Sequence, residues 1–364
     1  MQYRVIGVMS GSSLDGIDLA FVELGETAGN WQFDIIAAHC YPYELGWQEK
    51  LQHAVELDAG HYLMLHEEYG KYLALKINQF IREYSLAHKV QLIASHGHTT
   101  FHSPELGFTA QLGSGAAIAG ISGINVVSDL RILDVVLGGQ GAPIVPVGEK
   151  LFWPDMEYFL NLGGIANISG RTPNSFIAFD VCPANRVLNL LAEKENKSFD
   201  EDGLMAATGK VQPDLLNRLN ALDYYQLAYP KSLPNSFGTE TIYSLIESFG
   251  LSTADALRTY TEHIVDQIGL ALGRMPRPQG SAPRLLATGG GILNIFFSGR
   301  LREMLSLAGI ELVIPDKKII QYKEALIMAL LGVLRWREEN TVMNSVTGAS
   351  RSSIGGAVWI GQDA

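Results

Sequence analysis

The sequence predicts an α/β fold built from two similar domains, and three observations support this prediction. The chain has 364 residues, which is more than one hydrophobic core usually serves. The order strand, strand, strand, helix occurs twice, each time with a glycine-containing turn after the first strand, as expected of a duplicated unit. Polar residues directly follow several strands, where ligands bind in open α/β sheets. We therefore expect a nucleotide to bind between two similar domains.

The first half begins with an apolar, β-branched run and a turn at residues 10–16. Its predicted strands are residues 3–9, 17–24, 31–38, 90–94 and 123–127. A helix is predicted at about 61–87 from apolar residues at helical spacing. The polar segments Ser95-His-Gly-His98 and Ser128-Asp-Leu-Arg131 are expected just beyond the last two strands. The glycines of the first turn lie between two strands, so neither a dinucleotide-binding loop nor a Walker loop fits.

The second half repeats this order. Its predicted strands are residues 158–162, a short strand ending at 169, 175–179, 284–288 and 310–314. Its predicted helices are residues 184–193, 295–307 and 322–339. The tail from Asn344 is rich in Gly and Ser and predicts loop with a short terminal strand. The predicted domains are residues 1–140, with the C-terminal tail as a candidate addition, and residues 141–364.

Composition limits the classes of function. Apolar residues make up 47% of the chain and charged residues 18%, which predicts a well-formed core. A net charge of −11 argues against nucleic-acid binding, which needs clustered cations. Cys40 and Cys182 have no metal-ligand spacing and suit a reducing compartment. With no leader and no apolar run of ~20 residues, we expect a cytoplasmic protein without a membrane partner.

The first turn could bind an anion. It offers hydroxyls and accessible backbone amides, and a carboxylate there could reach Mg²⁺. Its candidate residues are Gly11, Ser12, Ser13, Asp15 and Gly16, with Asp15 as the candidate metal ligand and Asp18 as a second carboxylate. An ordinary tight hairpin uses the same residue types. By itself this turn does not decide between the two interpretations.

Asp180 is the candidate general base. It lies near the end of a predicted strand, just before Pro183 and a helix. An ordinary Asp is ionised at neutral pH and can accept a proton. The alternative is a cap on the following helix, a common use of Asp. The residues around Asp180 do not by themselves separate these two roles.

Further small and polar residues are weaker candidates. Gly289, Gly290 and Gly291 could admit a nucleotide close to the backbone, with Asn294 about one helical turn on. The loop 138–143 is either a ligand loop or a hinge. His96, His98 and His102 lack an acidic partner nearby, which makes hydrogen bonding a better interpretation than zinc binding. Lys231, Ser232 and Glu240 flank a loop whose role stays open.

Taken together, the motifs resemble the anhydro-N-acetylmuramic acid kinases, a family of the hexokinase, Hsp70 and actin superfamily. The resemblance spans nearly the whole chain. It is carried by Gly7-Val-Met-Ser-Gly-Ser-Ser-Leu-Asp-Gly16, Ser95-His-Gly97, Ser128-Asp-Leu-Arg131, Gly138-Gly-Gln-Gly-Ala-Pro143, Asn161-Leu-Gly-Gly-Ile-Ala-Asn167, Phe179-Asp180, Gly289-Gly-Gly291, Lys323-Glu-Ala325 and Ser345-Val-Thr-Gly-Ala349.

The resemblance implies two ribonuclease-H-like, actin-like ATPase domains with ATP, Mg²⁺ and a sugar in the cleft between them, and a homodimer. It implies that water opens the 1,6-anhydro bridge while O6 takes the γ-phosphoryl group. Asp180 would deprotonate the water. Phosphates would be held by Gly11, Ser12, Ser13, Asp15, Gly16, Gly163, Gly164, Gly289, Gly290, Gly291 and Asn294. The sugar would be bound by His96, Asp129, Arg131, Gln140 and Glu324.

Four segments depart from the family pattern. Val181-Cys-Pro-Ala-Asn185 stands where the family usually has Thr-Gly-Pro-Gly-Asn, and His98 stands where it usually has Gln. Gly113-Ser114 replaces the usual Gly-Asp, and Phe237-Gly-Thr-Glu240 lacks the usual Gly-Arg-Glu. Added Cβ atoms at 182 and 184 would remove tolerance for positive φ. These departures leave two alternatives: a kinase for another sugar, and a non-catalytic or chaperone-like ATP-binding module of the same fold.

Overall fold

Each half of the chain starts with three antiparallel strands. The computed structural model describes residues 1–11, 14–173, 175–229, 231–234, 236–277 and 282–362. The strands of the first half are β1 (Gln2–Ser10), β2 (Gly16–Thr27), β3 (Asn30–Pro42), β4 (Leu92–Ser103), β5 (Phe108–Leu112) and β6 (Val126–Ser128). Those of the second half are β7 (Tyr158–Leu162), β8 (Ile165–Arg171), β9 (Phe176–Pro183), β10 (Arg284–Thr288), β11 (Glu311–Val313) and β12 (Ala357–Trp359).

The strands form two sheets of the same topology. The first has the order β12-β6-β4-β1-β2-β3, with β5 paired to β4, and the second has the order β11-β10-β7-β8-β9. In each sheet an antiparallel meander is continued, on the far side of its first strand, by parallel strands: β4 then β6 in one, and β10 then β11 in the other. This is the ribonuclease-H-like arrangement, and it confirms the predicted duplicated α/β fold.

Helices connect and cover these strands. Those of the first half are α1 (Trp47–Gln52), α2 (Ala59–Glu83), α3 (Gly115–Ser122), α4 (Ile132–Val136) and α5 (Pro146–Phe152). They are followed by α6 (Asn185–Glu193), α7 (Leu204–Thr208), α8 (Pro213–Asn220), α9 (Tyr243–Glu247), α10 (Thr253–Arg274), α11 (Ile295–Leu307), α12 (Lys317–Trp336) and α13 (Asn344–Thr347). None of the helices in the described ranges is long and apolar enough to cross a membrane.

The chain divides into two compact units that differ from the predicted 1–140 and 141–364 division. Unit 1 comprises residues 1–154 and 322–364, and unit 2 comprises residues 155–321. Residues 141–154 go with unit 1 because α5 packs on β3, where the rings of Phe33 and Phe152 lie 4.7 Å apart. Most of α12 and the whole tail also join unit 1, where β12 pairs with β6.

Glycine allows α12 to lie directly against the first sheet. A Cβ on Gly7 of β1 would lie 1.8 Å from the Ala325 carbonyl oxygen, and one on Gly332 would lie 2.5 Å from the Ala94 Cβ. The buried ion pair between Lys323 and Glu149, with Nζ and Oε1 2.9 Å apart, also holds this helix to α5. This close packing fixes the position of Glu324, the next residue of α12.

Several predicted boundaries need correction. Ser95 to His98 lie inside β4, because this strand continues past residue 94 to pair with β5 and, at His98, with Ser10 of β1. The helix predicted at 61–87 begins two residues earlier, where the Asp58 side chain accepts a hydrogen bond from the His61 amide. The last long helix begins at Lys317 instead of residue 322, and the tail contains α13 as well as β12.

Candidate active site

Asp180 lies within β9 and is held by the backbone of a neighbouring loop. One carboxylate oxygen accepts a hydrogen bond of 2.9 Å from the Leu233 amide. The Asp180 amide donates to the Lys231 carbonyl at 3.0 Å, and the Tyr224 hydroxyl donates to the Asp180 carbonyl at 2.7 Å. Burial raises the pKa of this carboxyl above its ordinary value of 3.8, opposed by the Leu233 amide. Such a carboxylate can serve as a general base.

The helix-cap alternative for Asp180 is wrong. The N-cap of α6 is Ala184, and no side chain caps this helix. Instead, the carbonyls of Gly163 and Gly164 accept hydrogen bonds from the amides of Asn185 and Ala184. A β-bulge in the β8–β9 pairing, between Ala166 and Asn167, places Asp180 opposite Asn167. Bulges commonly re-aim a side chain next to an active site.

The turn Gly163-Gly164 presents backbone donors. Neither glycine amide has a hydrogen-bond partner among the residues that the structure describes. A Cβ on Gly163 would meet nothing closer than 3.6 Å, and one on Gly164 nothing closer than 3.8 Å. Successive free amides in an open turn form an anion-binding concavity. The geometry therefore fits the predicted phosphate contact of this turn.

Close packing accounts for two of the three glycines at positions 289–291. A Cβ on Gly289, where φ is +85°, would lie 2.6 Å from the Leu162 carbonyl oxygen, and one on Gly291 would lie 2.5 Å from Asn185 Oδ1. Gly290 is exposed and faces open space. Asn294 caps α11: its Oδ1 accepts from the Phe297 amide at 2.9 Å and its Nδ2 donates to the Asp200 carbonyl at 3.3 Å. The Asn294 side chain thus has a structural task beside its predicted nucleotide contact.

In unit 1 the first turn rests on a buried polar network. Ser12 and Ser13 lie outside the described residues. Gly11 follows Ser10, whose hydroxyl contacts the Tyr43 hydroxyl at 2.6 Å, the Tyr69 hydroxyl at 2.9 Å and His98 Nδ1 at 3.2 Å. Burial lowers the pKa of His98 to about 4, so its ring is neutral. This network fixes the end of β1 from which the turn departs.

Acidic side chains gather beside the same turn. Asp15 is exposed, while Asp18 of β2 is half-buried and accepts a hydrogen bond from the Cys40 thiol. Burial, and after it the charges of Glu324 and Asp15, raise the pKa of Asp18, against the thiol hydrogen bond. A cation would relieve this repulsion, and Mg²⁺ prefers such oxygen donors. Among the described residues no group of three or more His, Cys, Asp or Glu side chains could hold a metal ion, so a cation beside Asp15 and Asp18 would need further oxygen donors from a ligand.

Arg131 follows β6 and is fixed by two acceptors. Its Nε donates to His96 Nε2 at 2.8 Å and its Nη1 donates to the Gly141 carbonyl at 2.6 Å. Burial lowers the pKa of Arg131 to about 10, while the nearby charges of Glu324 and Asp134 oppose that shift, so the guanidinium stays charged. Its Nη2 has no partner among the described residues. Arg131 can therefore offer an oriented donor to a ligand.

His96 differs from its predicted role as a direct sugar ligand. Its Nδ1 lies 2.8 Å from the Gly97 carbonyl, and its Nε2 accepts from Arg131. Burial, with the charge of Arg131, lowers the pKa of His96 to about 3, which keeps the ring neutral. Both ring nitrogens are thus engaged within the protein. The imidazole orients Arg131 and has no ring nitrogen left for a ligand.

Asp129 and Gln140 occupy constrained backbone near Arg131. Asp129 has a φ of +58°, a conformation that Asp tolerates better than most residues, and it accepts a 2.6 Å hydrogen bond from the Ser128 hydroxyl. The Gln140 side chain is exposed, while its amide donates to the Thr347 carbonyl at 2.8 Å. Strained residues that the surrounding structure holds in place cluster at functional sites.

Comparison with known proteins assigns the chain to a family. The family model described as anhydro-N-acetylmuramic acid kinase matches residues 3–361. The chain belongs to the anhydro-N-acetylmuramic acid kinase family. Proteins named anhydro-N-acetylmuramic acid kinase are 32% identical to it in Trichormus variabilis (98% of this chain and 97% of that protein), in Vibrio cholerae (97% of each) and in Idiomarina loihiensis (98% and 99%).

One solved structure shows a distant resemblance to the chain. The activator of the 2-hydroxyisocaproyl-CoA dehydratase from Clostridium difficile aligns over 92% of this chain and 96% of that chain, with 14% identity and a TM-score of 0.46. That score is too low to bear on function. The strand order defines the fold, and the sequence relatives show the family.

Two of the departures from the family pattern place a buried side chain where the family usually has glycine, and Ala184 has a φ of −131° and a ψ of −104°. Cys182 and Ala184 are fully buried, and neither has a positive φ. Burial raises the pKa of the Cys182 thiol far above its usual range, so this cysteine is a core residue and not a nucleophile. Ser114 accepts a hydrogen bond of 3.2 Å from the Ala117 amide and caps α3, which Asp can also do.

One residue that shapes the candidate site was missed by sequence reasoning. Asp134 is fully buried, and its carboxylate accepts hydrogen bonds of 2.7 Å from both the Gly141 amide and the Thr347 hydroxyl. A Cβ on Gly139 would lie 2.3 Å from this carboxylate. Asp134 therefore shapes the loop that carries Gln140. A carboxylate among apolar residues, a few positions before a glycine-rich loop, is the signal that could have found it.

Proposed function

We propose that this protein is the ATP-dependent kinase that opens the 1,6-anhydro ring of anhydro-N-acetylmuramic acid and phosphorylates O6. The product is N-acetylmuramic acid 6-phosphate, an intermediate of cell-wall recycling. Membership of the family supports the reaction. The observation that carries it is Asp180, a half-buried carboxylate with a raised pKa that backbone contacts hold inside β9.

Asp180 acts as the general base in this proposal. Its ionised carboxylate takes a proton from the water whose oxygen bonds to the anomeric carbon. The bond between that carbon and the bridging oxygen breaks, and the released O6 bonds to the γ-phosphorus as ADP leaves. The Leu233 amide fixes one carboxylate oxygen of Asp180 and leaves the other for water. A general base of this kind contributes about 10²- to 10⁴-fold to the rate.

Unit 1 supplies the sugar contacts in this proposal. Arg131 and Asp129 are oriented by hydrogen bonds, with His96 behind Arg131, and the family resemblance adds Gln140 and Glu324. Hydrogen-bonding sites of this kind discriminate strongly among polar ligands, because an unmatched buried group is costly. The proposal therefore assigns substrate selection to these side chains.

Backbone amides supply most of the ATP contacts in this proposal. The free amides of Gly163 and Gly164 and the exposed Gly290 are suited to phosphate oxygens, and the family resemblance adds the turn from Gly11 to Gly16. Asp15 and Asp18 would hold Mg²⁺, which neutralises phosphate charge during transfer. Gly289, Gly291 and Asn294 support this region through packing. A homodimer and a cytoplasmic location complete the proposal and rest on the family resemblance.

A substrate panel tests the proposed function. Purified protein is incubated with ATP and Mg²⁺ and with anhydro-N-acetylmuramic acid, other anhydro sugars or free amino sugars, while ADP release is followed and the product is identified by mass and NMR. We expect turnover on anhydro-N-acetylmuramic acid, with one water and one phosphoryl group added. Turnover on a different sugar alone would reject this substrate. ATP binding without turnover on any sugar would indicate a non-catalytic module.

A further inference from the structure

The contacts of Arg186 within the protein do not account for an arginine at this position. It is the second residue of α6, where the positive end of the helix dipole disfavours a cation. Its Nε is buried and has no hydrogen-bond partner in the described part of the chain. No described carboxylate forms a salt bridge with it. An unpaired buried donor costs free energy, so its presence calls for a partner from outside the chain.

The guanidinium of Arg186 lies over the Gly163-Gly164 turn. A Cβ built on Gly164 would be 3.8 Å from Arg186 Nε and 3.9 Å from Nη2. The carbonyls of both glycines point toward the start of α6, because they accept hydrogen bonds from the amides of Ala184 and Asn185. The glycine amides remain without partners among the described residues. Free amides and a forked cation therefore meet at one turn.

We propose that Arg186 binds the phosphate chain of ATP together with the amides of Gly163 and Gly164. This inference rests on the proposed kinase function and adds a residue to its nucleotide site. A guanidinium presents planar paired donors that match phosphate oxygens, and such charged hydrogen bonds are stronger than neutral ones. The phosphate supplies the missing partner of the buried Nε. It also supplies the negative charge that the start of α6 favours.

Nucleotide binding to Arg186→Met tests the proposal. This substitution removes the charge and keeps most of the side-chain length. We expect the Kd for ADP and for a non-hydrolysable ATP analogue, measured by calorimetry, to rise about 10- to 100-fold, while the Kd for adenosine changes less than about twofold. Arg186→Lys keeps a point charge without the fork and is expected to fall between the two. The matched control is Arg302→Met, an exposed arginine of α11, which should bind like the wild type.

Thermal unfolding separates binding from structure. Without ligand, Arg186→Met should unfold at the wild-type temperature or above it, because an unsatisfied buried donor is removed. Added ADP should then raise the unfolding temperature of this variant less than that of the wild type. A lower unfolding temperature without ligand, together with unchanged ADP affinity, would overturn the proposal and indicate a structural arginine.

The outcomes also distinguish this inference from the proposed function. If the wild type binds ATP and turns over the sugar while Arg186→Met and Arg186→Lys bind ADP within about twofold of it, the inference alone fails. If adenosine binding weakens as much as ADP binding, the phosphate contact is rejected. If the wild type binds no ATP, both the inference and the kinase function fail.

Discussion

The two units share one strand order but carry their central carboxylates on different strands. We count residue pairs from the end of each ladder that holds the last residue of β3 or β9. The third pair is Asp18 of β2 with Cys40 of β3 in unit 1, and Asn167 of β8 with Asp180 of β9 in unit 2. In unit 2 a bulge immediately precedes this pair, whereas in unit 1 the bulge lies farther along, between Phe21 and Val22. The same residue pair of the duplicated fold thus carries its carboxylate on the second strand in unit 1 and on the third strand in unit 2.

Asp18 and Asp180 also differ in the groups that surround their carboxylates. Asp18 lies beside the acidic residues Glu324 and Asp15, an arrangement suited to a cation. Asp180 is stabilised by the Leu233 amide, and no other carboxylate contributes to its pKa shift. A base needs a lone pair that is not shared with a metal. This difference supports the proposed roles, in which Asp180 of unit 2 accepts the proton and Asp18 of unit 1 contacts a cation.

Replacing each carboxylate by its amide tests this assignment and gives the largest expected effect. Asp180→Asn keeps an acceptor for the Leu233 amide but cannot take a proton, so kcat should fall about 10²- to 10⁴-fold while ATP still binds. Asp18→Asn, the equivalent change in unit 1, should mainly raise the Mg²⁺ concentration needed for half-maximal activity, because a proposed metal ligand is lost. Steady-state kinetics with titrated Mg²⁺ measure both. Equal loss of kcat in the two variants would contradict the division of roles.

Arg131 tests the sugar contacts of unit 1. In Arg131→Met the donor to the ligand and the contact with His96 are both lost, and we expect KM for the sugar to rise about 10- to 100-fold, with KM for ATP little changed. Arg335→Met is the matched control, because Arg335 likewise donates through Nε, to the Gly356 carbonyl at 2.8 Å. A similar rise in both KM values would indicate that Arg131 supports the fold instead of the sugar.

The pH dependence of kcat/KM is expected to follow Asp180. Only the ionised carboxylate accepts a proton, so activity should fall about tenfold per pH unit below its pKa. Because burial raises that pKa above 3.8, the acid limb should lie at higher pH than for a freely exposed Asp. Asp18→Asn should keep this limb and Asp180→Asn should lose it. A limb that persists in Asp180→Asn would assign the titration to another group.

The sequence predicted the repeat better than it predicted the contacts. Residues 158–162 and 284–288 were predicted with the observed bounds, because buried parallel strands are short apolar runs between clear breaks. The continuation of β4 through His98 was not, because its polar residues pair with β1, where Ser10 lies 88 positions before His98. The role of His96 depends on Arg131, which lies 35 positions away. Local pattern does not encode such contacts.

Substitutions of Gly16 and Gly163, which lie in the turn after the first strand of each unit, should have the smallest and most selective effects. A Cβ on Gly16 would lie 2.5 Å from the Tyr41 carbonyl oxygen, whereas one on Gly163 would come no closer than 3.6 Å to any neighbour. We therefore expect Gly16→Ala to lower the free energy of unfolding by about 1–3 kcal/mol, and Gly163→Ala to leave it within about 0.5 kcal/mol of the wild type.

These two substitutions should affect the affinity for ATP differently from the free energy of unfolding. A methyl group beside the free amides of the second turn should weaken ATP binding several-fold in Gly163→Ala, since phosphate oxygens need close approach to the backbone. Urea unfolding and calorimetry on the same two variants separate the effects. If Gly163→Ala is as destabilising as Gly16→Ala, the second glycine is required by packing. If Gly163→Ala is stable and binds ATP like the wild type, the amides of unit 2 do not contact phosphate.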